Sequence, residues 1–352
     1  MNRAKRIDAR PLDLRRGRVE LTHGAGGRAT AQLIAELFAP CFDRGDNPWL
    51  RQGNDQAILP PPAGRLAMST DCHVVTPLFF PGGDIGTLAV NGTVNDLAMG
   101  GAQPLYLSAG FILEEGFPLA DLQRVAQSMA QAAATAGVHL VTGDTKVVER
   151  GKADGLFITT AGVGVVPEGV ALDGANAQPG DAIIVSGDLG DHGMAILSQR
   201  EALALDSPIE SDCAALGGLV AHMLAHCRSL RLLRDPTRGG LANTLNELCQ
   251  QSGVGMRITE AALPIRPAVR AACEFFGLDP LYLANEGKLI AVCAADDAAA
   301  LISAMHAHPL GRQAAVIGEV CADTHGFVRM TTPFGGERLL DWLQGEMLPR
   351  IC

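Results

Sequence analysis

The spacing of apolar and polar positions divides the chain into two successive runs of strands and helices. Leu33, Ile34, Leu37 and Phe38 recur at helical spacing and predict a helix opening after His23-Gly24-Ala25-Gly26-Gly27-Arg28. Pro60-Pro61-Pro62-Ala63-Gly64 is a turn, and residues 66–70 predict a strand beyond it. Phe79-Phe80-Pro81-Gly82-Gly83-Asp84 reads as a loop, followed by a helix of small residues over roughly 85–100. Residues 105–113 predict a strand. Residues 119–136 are cleanly amphipathic, and Gly137 stops that helix. Residues 138–141 and 155–166 predict two more strands. Gly, Asn, Asp and Pro then cluster over 167–180, which marks a boundary before a strand at 182–186. Helices are expected near 213–227, 239–252, 267–276 and 296–307, alternating with strands. After Asp341 little remains to pack, and Pro349-Arg350-Ile351-Cys352 reads as a loose tail. The chain therefore divides into a basic leader over 1–20, a first domain over 21–170, a second over 171–340 and a tail over 341–352. No short-period repeat is visible.

With 352 residues, 47% of them apolar and 19% charged, the chain is globular and too long for one ordinary core. Aromatics are 4%, and there are 41 glycines, so small residues must form close helix-on-sheet layers. The net charge of −10 gives no support for a nucleic-acid face. The one basic stretch, from Arg3 to Arg18, reads as a solvated leader without the apolar core of a secretory signal. No apolar run reaches the ~18–20 residues that span a bilayer, so a cytoplasmic location is the default expectation. The nine cysteines are odd in number and show no Cys-x-x-Cys spacing, which fits neither a disulfide framework nor a zinc ribbon. Most of them should be small buried side chains.

Four carboxylates sit among small residues: Asp55, Asp71, Asp96 and Asp144. Asp71 and Asp144 each follow a short apolar run, which places them at strand ends. Singly, such residues most often cap turns; as a set converging on one mouth they suit magnesium, which takes hard oxygen ligands and shares them with phosphates. Gly24, Gly26 and Gly27 could present backbone N–H groups to phosphate, although no Walker A or dinucleotide pattern follows, and a flexible turn is as good a reading. Thr237, Arg238 and Gly239, in Asp235-Pro236-Thr237-Arg238-Gly239-Gly240, form a second loop entering a helix, with a helix cap as the plainer alternative. Lys146 shares a strand face with Asp144 and could neutralise phosphate; Glu286, just before an apolar run, could act as a base. Taken alone, both residues are more often plain surface charges. His222 and His226 have metal-pair spacing without an evident third ligand, and His306 and His308 are equally ambiguous. By position alone Cys352, the last residue of the sequence, reads as incidental, and its own α-carboxylate should raise the thiol pKa, with Arg350 partly offsetting that. It makes chemical sense as a nucleophile if its tail swings between sites, since about seven extended residues reach roughly 23–25 Å.

Together these segments resemble the HypE family of carbamoyl dehydratases, within the PurM-like ATP-binding superfamily. The resemblance runs from about His23 to Cys352. It rests on the glycine loop, Gly92-Thr93-Val94-Asn95-Asp96, Val141-Thr142-Gly143-Asp144-Thr145-Lys146, Gly187-Asp188-Leu189-Gly190-Asp191-His192-Gly193, Thr237-Arg238-Gly239-Gly240 and Asn285-Glu286-Gly287-Lys288. More specific are the Phe-Phe-Pro-Gly-Gly loop and the Pro-Arg-Ile-Cys ending. The resemblance implies an α/β first half whose sheet joins that of a second subunit in a dimeric β-barrel, an α+β second half and a mobile tail. It implies ATP with Mg2+ as cofactor, held by Asp55, Asp71, Asp96, Asp144, Thr145 and the two loops. It also implies dehydration of a carbamoyl group on Cys352 to a thiocyanate, with Glu286 and Lys146 handling protons and charge. The implied partners are a carbamoyltransferase, HypF, that loads the thiol, and a HypC–HypD complex that carries the cyanide to a [NiFe]-hydrogenase iron. The alternatives are another PurM-like small-molecule kinase or synthetase, and a non-catalytic metal carrier built on His222, His226 and the cysteines.

Overall fold

Residues 10–43, 45, 47–52, 54, 56–201, 209–345, 348, 350 and 351 are described by a computed structural model. The first helical stretch runs through α1 (Arg28–Leu33), a π-helical turn and α2 (Ala39–Phe42). Strand β1 (Arg65–His73) is longer than its apolar run, because polar residues continue its edge. The expected loop at 79–84 is a two-strand hairpin, β2 (Phe79–Phe80) and β3 (Gly83–Asp84). Asp84 then caps α3 (Ile85–Met99) by accepting from Thr87 N–H at 2.9 Å. Strand β4 (Gln103–Glu114), helix α4 (Leu119–Ala136), β5 (His139–Val148) and β6 (Leu156–Val166) follow. Gly137 ends α4 in the left-handed region, at φ 71°. The sheet order is β1-β6-β4-β5, with only β4 and β5 parallel.

One face of this sheet packs on α3 and α4. The other carries exposed apolar side chains, with Leu66 at 65%, Met68 at 75% and Ile112 at 41% exposure. Among the described residues, a single chain thus shows an open sheet with edges at β1 and β5, and no closed barrel.

The second half builds a seven-stranded sheet. Its elements are β7 (Ala182–Val185), α5 (Asp191–Arg200), α6 (Gly217–His226), β8 (Leu230–Arg234), α7 (Gly240–Ser252), β9 (Gly255–Thr259), α8 (Pro267–Phe276), β10 (Ile290–Cys293), α9 (Ala295–Ala307), β11 (Ala315–Cys321), β12 (Val328–Thr331) and β13 (Glu337–Leu340). The order is β13-β12-β9-β11-β7-β10-β8. Ile183 and Val185 of β7 face a core shared with α7, while Ala182 and Ile184 face one shared with α6 and α9. Covering on both faces explains why β7 and β10 read as continuous apolar runs. Helix α5 was not predicted, since its Asp-His-Gly start shows no apolar stripe.

Helix α3 is buried on nearly every side, and its polar residues Thr87, Asn91 and Asn95 bond within the protein and not to solvent. It packs on α4, β1 and β6 of the first half and on α6 and β8 of the second. Asn95 crosses the boundary three times: its Nδ2 donates to Ala214 O at 3.0 Å and Glu286 O at 3.1 Å, and its Oδ1 accepts from Leu216 N–H at 2.8 Å.

The solvated-leader reading is corrected for the described part of the leader, and the tail is seen in a seated position. Within the leader, Val19 is 1% exposed and bonds Phe117 O at 2.8 Å, while Leu12 and Leu14 pack on the first core. In the tail, Ile351 is 7% exposed and bridges to Val75. Apolar residues interrupting each charged or irregular stretch tie it down. Residues 1–9 lie outside the described residues.

Candidate active site

Strand parity sorts the predicted acids. Ser69, Asp71 and His73 share the face of β1 that meets α3. Asp71 Oδ2 stands 3.6 Å from Nε2 of buried His73. Gly92 makes the room, since a Cβ there would come within 2.9 Å of both Asp71 Oδ2 and His73 Cε1. One helical turn on, Asp96 accepts a 2.6 Å hydrogen bond from Ser69 Oγ. Asp71 and Asp96 therefore do come together.

The β8–α7 loop adds Asp235, Thr237, Arg238 and Gly239. Gly239 and Gly240 are consecutive left-handed residues, at φ 77° and 60°. A Cβ on Gly240 would lie 2.5 Å from Leu283 O, so only glycine lets this loop press against the segment leading to Glu286. Asn285 locks the two by donating from Nδ2 to Pro236 O at 2.9 Å.

Glu286 is no surface charge: it is 5% exposed, and its Oε1 has no hydrogen-bond partner. Its backbone N–H donates to Asp212 Oδ1 at 3.0 Å, and Lys288 holds Asp212 Oδ2 at 3.2 Å. Burial, and then the charges of Asp212, Asp235 and Asp71, push the Glu286 carboxyl well above the usual range, with Arg238 opposing. Burial and neighbouring Asp96 push Asp235 up to about 7. Burial also raises Asp96, against the Ser69 hydrogen bond. The cluster holds more carboxylates than nearby cations can balance. Such a set fits a magnesium ion that shares phosphate oxygens and water. Among the described residues, no three His, Cys, Asp or Glu side chains are placed to hold a metal unaided.

Asp144 does not join this group. Asp71 pairs with Thr160, Thr160 with Ala109 and Ala109 with Gly143. Asp144 is one residue further along and so points from the opposite face, in the row of Cys72, Thr159 and Gly110. It lies three strand spacings from β1, roughly 14 Å. It is also mid-strand, because β5 continues to Val148. Lys146 shares its face as the spacing predicts, with Nζ 3.4 Å from Asp144 Oδ2 and both side chains well exposed. Thr145 N–H bonds Asp144 Oδ1 at 2.8 Å. The glycine loop belongs with this second group: a Cβ on Gly24 would come 2.5 Å from Val147 N, whereas Gly26 and Gly27 face open space. The ion-pair partner of Lys146 in this chain is Asp144, in the second group, while Glu286 stands with the first. Asp55 lies outside the described residues.

A cleft of about 480 Å³ opens between the β8–α7 loop and the Cys72 face of β1, lined among others by Cys72, Arg238, Gly239, Ala284, Arg350 and Ile351. The tail thus enters the cleft. Cys352 itself lies outside the described residues.

Of the other cysteines, Cys41, Cys227, Cys249, Cys273 and Cys293 are buried, and Cys72 is exposed. The His222 and His226 rings are 4.3 Å apart, with His308 6.3 Å from His222. His226 Nδ1 donates to the His222 carbonyl at 2.8 Å, and His308 Nδ1 accepts from Leu310 N–H, so both close local turns. The sequence reading missed His73, Asp212, Asp235 and Lys288. Asp235 stood inside a loop already singled out, whereas Asp212 has no local pattern around it.

Residues 53–166 match the N-terminal domain and residues 178–331 the C-terminal domain of AIR synthase related proteins. Fold and cleft define a protein of that two-domain class. Within it, the chain belongs to the HypE family of carbamoyl dehydratases. It is 66% identical over 344 residues to the carbamoyl dehydratase HypE of Cupriavidus necator, covering 97% of each chain. The crystal structure of a hydrogenase maturation protein HypE in complex with ATP matches with a TM-score of 0.91 at 51% identity, over 95% of this chain and 99% of that one. HypE in a HypE–HypF complex matches with a TM-score of 0.77 at 48% identity, over 88% and 99%.

Proposed function

We propose that this chain uses ATP to convert a carbamoyl group on the Cys352 thiol into a thiocyanate. A HypF-type carbamoyltransferase loads the thiol. A HypC–HypD complex then takes the cyanide to the iron of a nascent [NiFe]-hydrogenase in the cytoplasm. The observation that carries this reading is the seating of Ile351, the residue before the thiol, in the cleft that Arg238 lines.

The reaction balances as S-carbamoyl plus ATP giving S-cyano plus ADP and phosphate. The carbamoyl oxygen attacks the γ-phosphorus and ADP leaves. The nitrogen then loses both of its protons, one to Glu286 and one to solvent, the C–O bond breaks, and the oxygen departs within phosphate. Phosphorylation is needed because oxide is a very poor leaving group. Asp71 and Asp96 would hold magnesium, which supplies charge neutralisation on the phosphates. Arg238 adds a fixed cation at the cleft. Glu286 accepts the N–H proton once that added positive charge favours its ionised form.

The decisive experiment is the intact mass after incubation with the carbamoyltransferase, carbamoyl phosphate and ATP. Loading adds one carbamoyl group, and dehydration then removes one water. A carbamoyl adduct that never loses water defeats the proposal.

The same site predicts that Asp96→Asn keeps the fold, since Ser69 can still bond the amide oxygen, but loses magnesium-dependent ATP turnover. Unchanged turnover in the folded variant would remove Asp96 from the site.

The uncovered sheet face with Leu66, Met68 and Ile112 supports a homodimer through the first half. Two such sheets face to face would form the barrel and carry the Lys146 edge of one protomer towards the cleft of the other. Light scattering at micromolar concentration should give twice the chain mass; a monomer with and without ATP would refute the dimer.

A further inference from the structure

One buried titratable group takes no part in the chemistry above. His192, in the first turn of α5, has 0% exposure. Its Nε2 lies 2.8 Å from the Ile351 carbonyl and its Nδ1 2.8 Å from Ser211 Oγ. A carbonyl can only accept, so Nε2 carries the proton and Nδ1 accepts from the Ser211 hydroxyl. Burial holds this imidazole below its ordinary pKa, which favours that neutral form. Further along the same helix, Arg200 donates from Nη2 to the Arg350 carbonyl and from Nε to Thr76 O. Thr76 N–H also donates to the Arg350 carbonyl, at 3.2 Å. Two consecutive tail carbonyls are thus gripped by two side chains of one helix. Arg350, between them and the preceding chain, adopts φ 57°, a left-handed conformation uncommon for a side-chain-bearing residue.

The imidazole is itself supported. Phe80 packs edge-on against it, with centroids 5.6 Å apart and planes at 83°. Ser211 N–H donates to Pro81 O at 2.8 Å. At Gly82, with φ 87°, a Cβ would stand 2.6 Å from Ser211 O, so the β2–β3 turn closes on Ser211 only as glycine. The Phe-Phe-Pro-Gly-Gly hairpin, distinctive in sequence but without a role so far, leads by this route to the residue before Cys352.

We propose that His192 is a positioning residue for dehydration: its Nε2–H fixes the Ile351 carbonyl, and with it the loaded thiol that follows, in the cleft during the ATP-dependent step. This rests on Cys352 being the carrier. Loading by a partner takes place with the tail out of the cleft and does not use the bond. Loss of His192 should therefore slow dehydration and spare loading, a split that general damage to the fold would not produce. One such hydrogen bond is worth roughly two- to twelvefold, and the orphaned carbonyl places the effect near the upper end.

The test compares wild type, His192→Ala and His192→Gln, whose amide N–H can reach the same carbonyl. Each is loaded with the carbamoyltransferase and carbamoyl phosphate, and water loss is followed by intact mass after ATP is added. Hydrogen exchange of the peptide containing Thr76, whose amide bonds the tail, is measured in parallel. The expected result is equal loading, dehydration about tenfold slower in His192→Ala, substantial recovery in His192→Gln, and faster Thr76 exchange in His192→Ala alone. Wild-type dehydration and exchange in His192→Ala overturn the proposal, as does a variant that loads as slowly as it dehydrates. Should His192→Ala fail to fold, Ser211→Ala removes the hydroxyl that orients the ring, together with its weaker bond from Cys213 N–H at 3.2 Å, and the same split is expected in milder form. If wild type loads but never loses water, the dehydratase reading fails, and the exchange result still decides whether His192 holds the tail.

Discussion

Cys352→Ala is expected to abolish every carbamoyl and cyano adduct while leaving the fold and nucleotide binding intact. The proposed chemistry needs a thiol that reaches a loading partner, the cleft and an acceptor in turn. The other cysteines are poorly suited. Cys249 and Cys273 are buried, and burial first of all pushes their pKa values to about 12 and about 11, so both remain protonated near neutral pH. Cys72 is the competitor that matters, being exposed and lining the same cleft. It stands on β1, however, and cannot travel. Peptide-level mass spectrometry after reaction with carbamoyltransferase and ATP should therefore find the adduct at residue 352 alone. An adduct on Cys72, or hydrogenase maturation supported by Cys352→Ala, would make the terminal cysteine a bystander. Extra residues appended after Cys352 should also impair the reaction, because the closed cleft would have to accommodate them.

Glu286→Gln is expected to load normally and to lose water about 10²–10⁴-fold more slowly, the usual cost of removing a general base. The pH dependence has a definite sign. The folded-state pKa of Glu286 is raised by burial and by Asp212, Asp235 and Asp71. The folded protein therefore keeps this proton to higher pH than the unfolded chain, whose glutamates titrate near ~4.3. The group's contribution to stability is most favourable below that value and declines as pH rises towards the raised folded pKa, by at most about 1.4 kcal/mol per pH unit. Glutamine has no proton to lose. Thermal melts should show Glu286→Gln gaining on wild type from pH 5 to pH 8, while wild-type dehydration speeds up over the same interval. A stability difference independent of pH would mean that Glu286 is ionised throughout. A variant that dehydrates at the wild-type rate would remove it as the base.

Much of the fold could be read from periodicity alone. Helix α4 begins and ends where its amphipathic stripe and Gly137 placed it, and the small-residue helix at 85–100 is α3. What escaped was set by long-range contact. Helix α5 lacks a stripe because its environment is apolar on several sides. Glu286 is a candidate base from the sequence, but its burial was not legible, since nothing in Asn-Glu-Gly-Lys announces that Asp212 will bond its backbone N–H and Asn95 its carbonyl. For the acids, residue type was a good guide and place was not. Asp71 and Asp96 meet because Gly92 lets β1 and α3 approach, whereas a one-residue difference in strand parity turns Asp144 to the other face. Parity depends on register across three strand pairs, which no local pattern reports.

Helix α3 has a mechanical consequence. It enters the cores of both halves of the molecule, with Ala98 and Met99 in that of the second and Leu88 and Val90 in that of the first. Asn95 bolts it to residues 214, 216 and 286. A cleft framed by two halves that share a wall cannot work as a jaw, because rotating one half about a hinge would tear buried side chains from this helix. Access to the acids is therefore left to smaller parts of the structure. The tail, held by two backbone carbonyls, the Arg350–Asp154 ion pair and the packing of Leu348 and Ile351, can be released without unravelling a helix or a sheet.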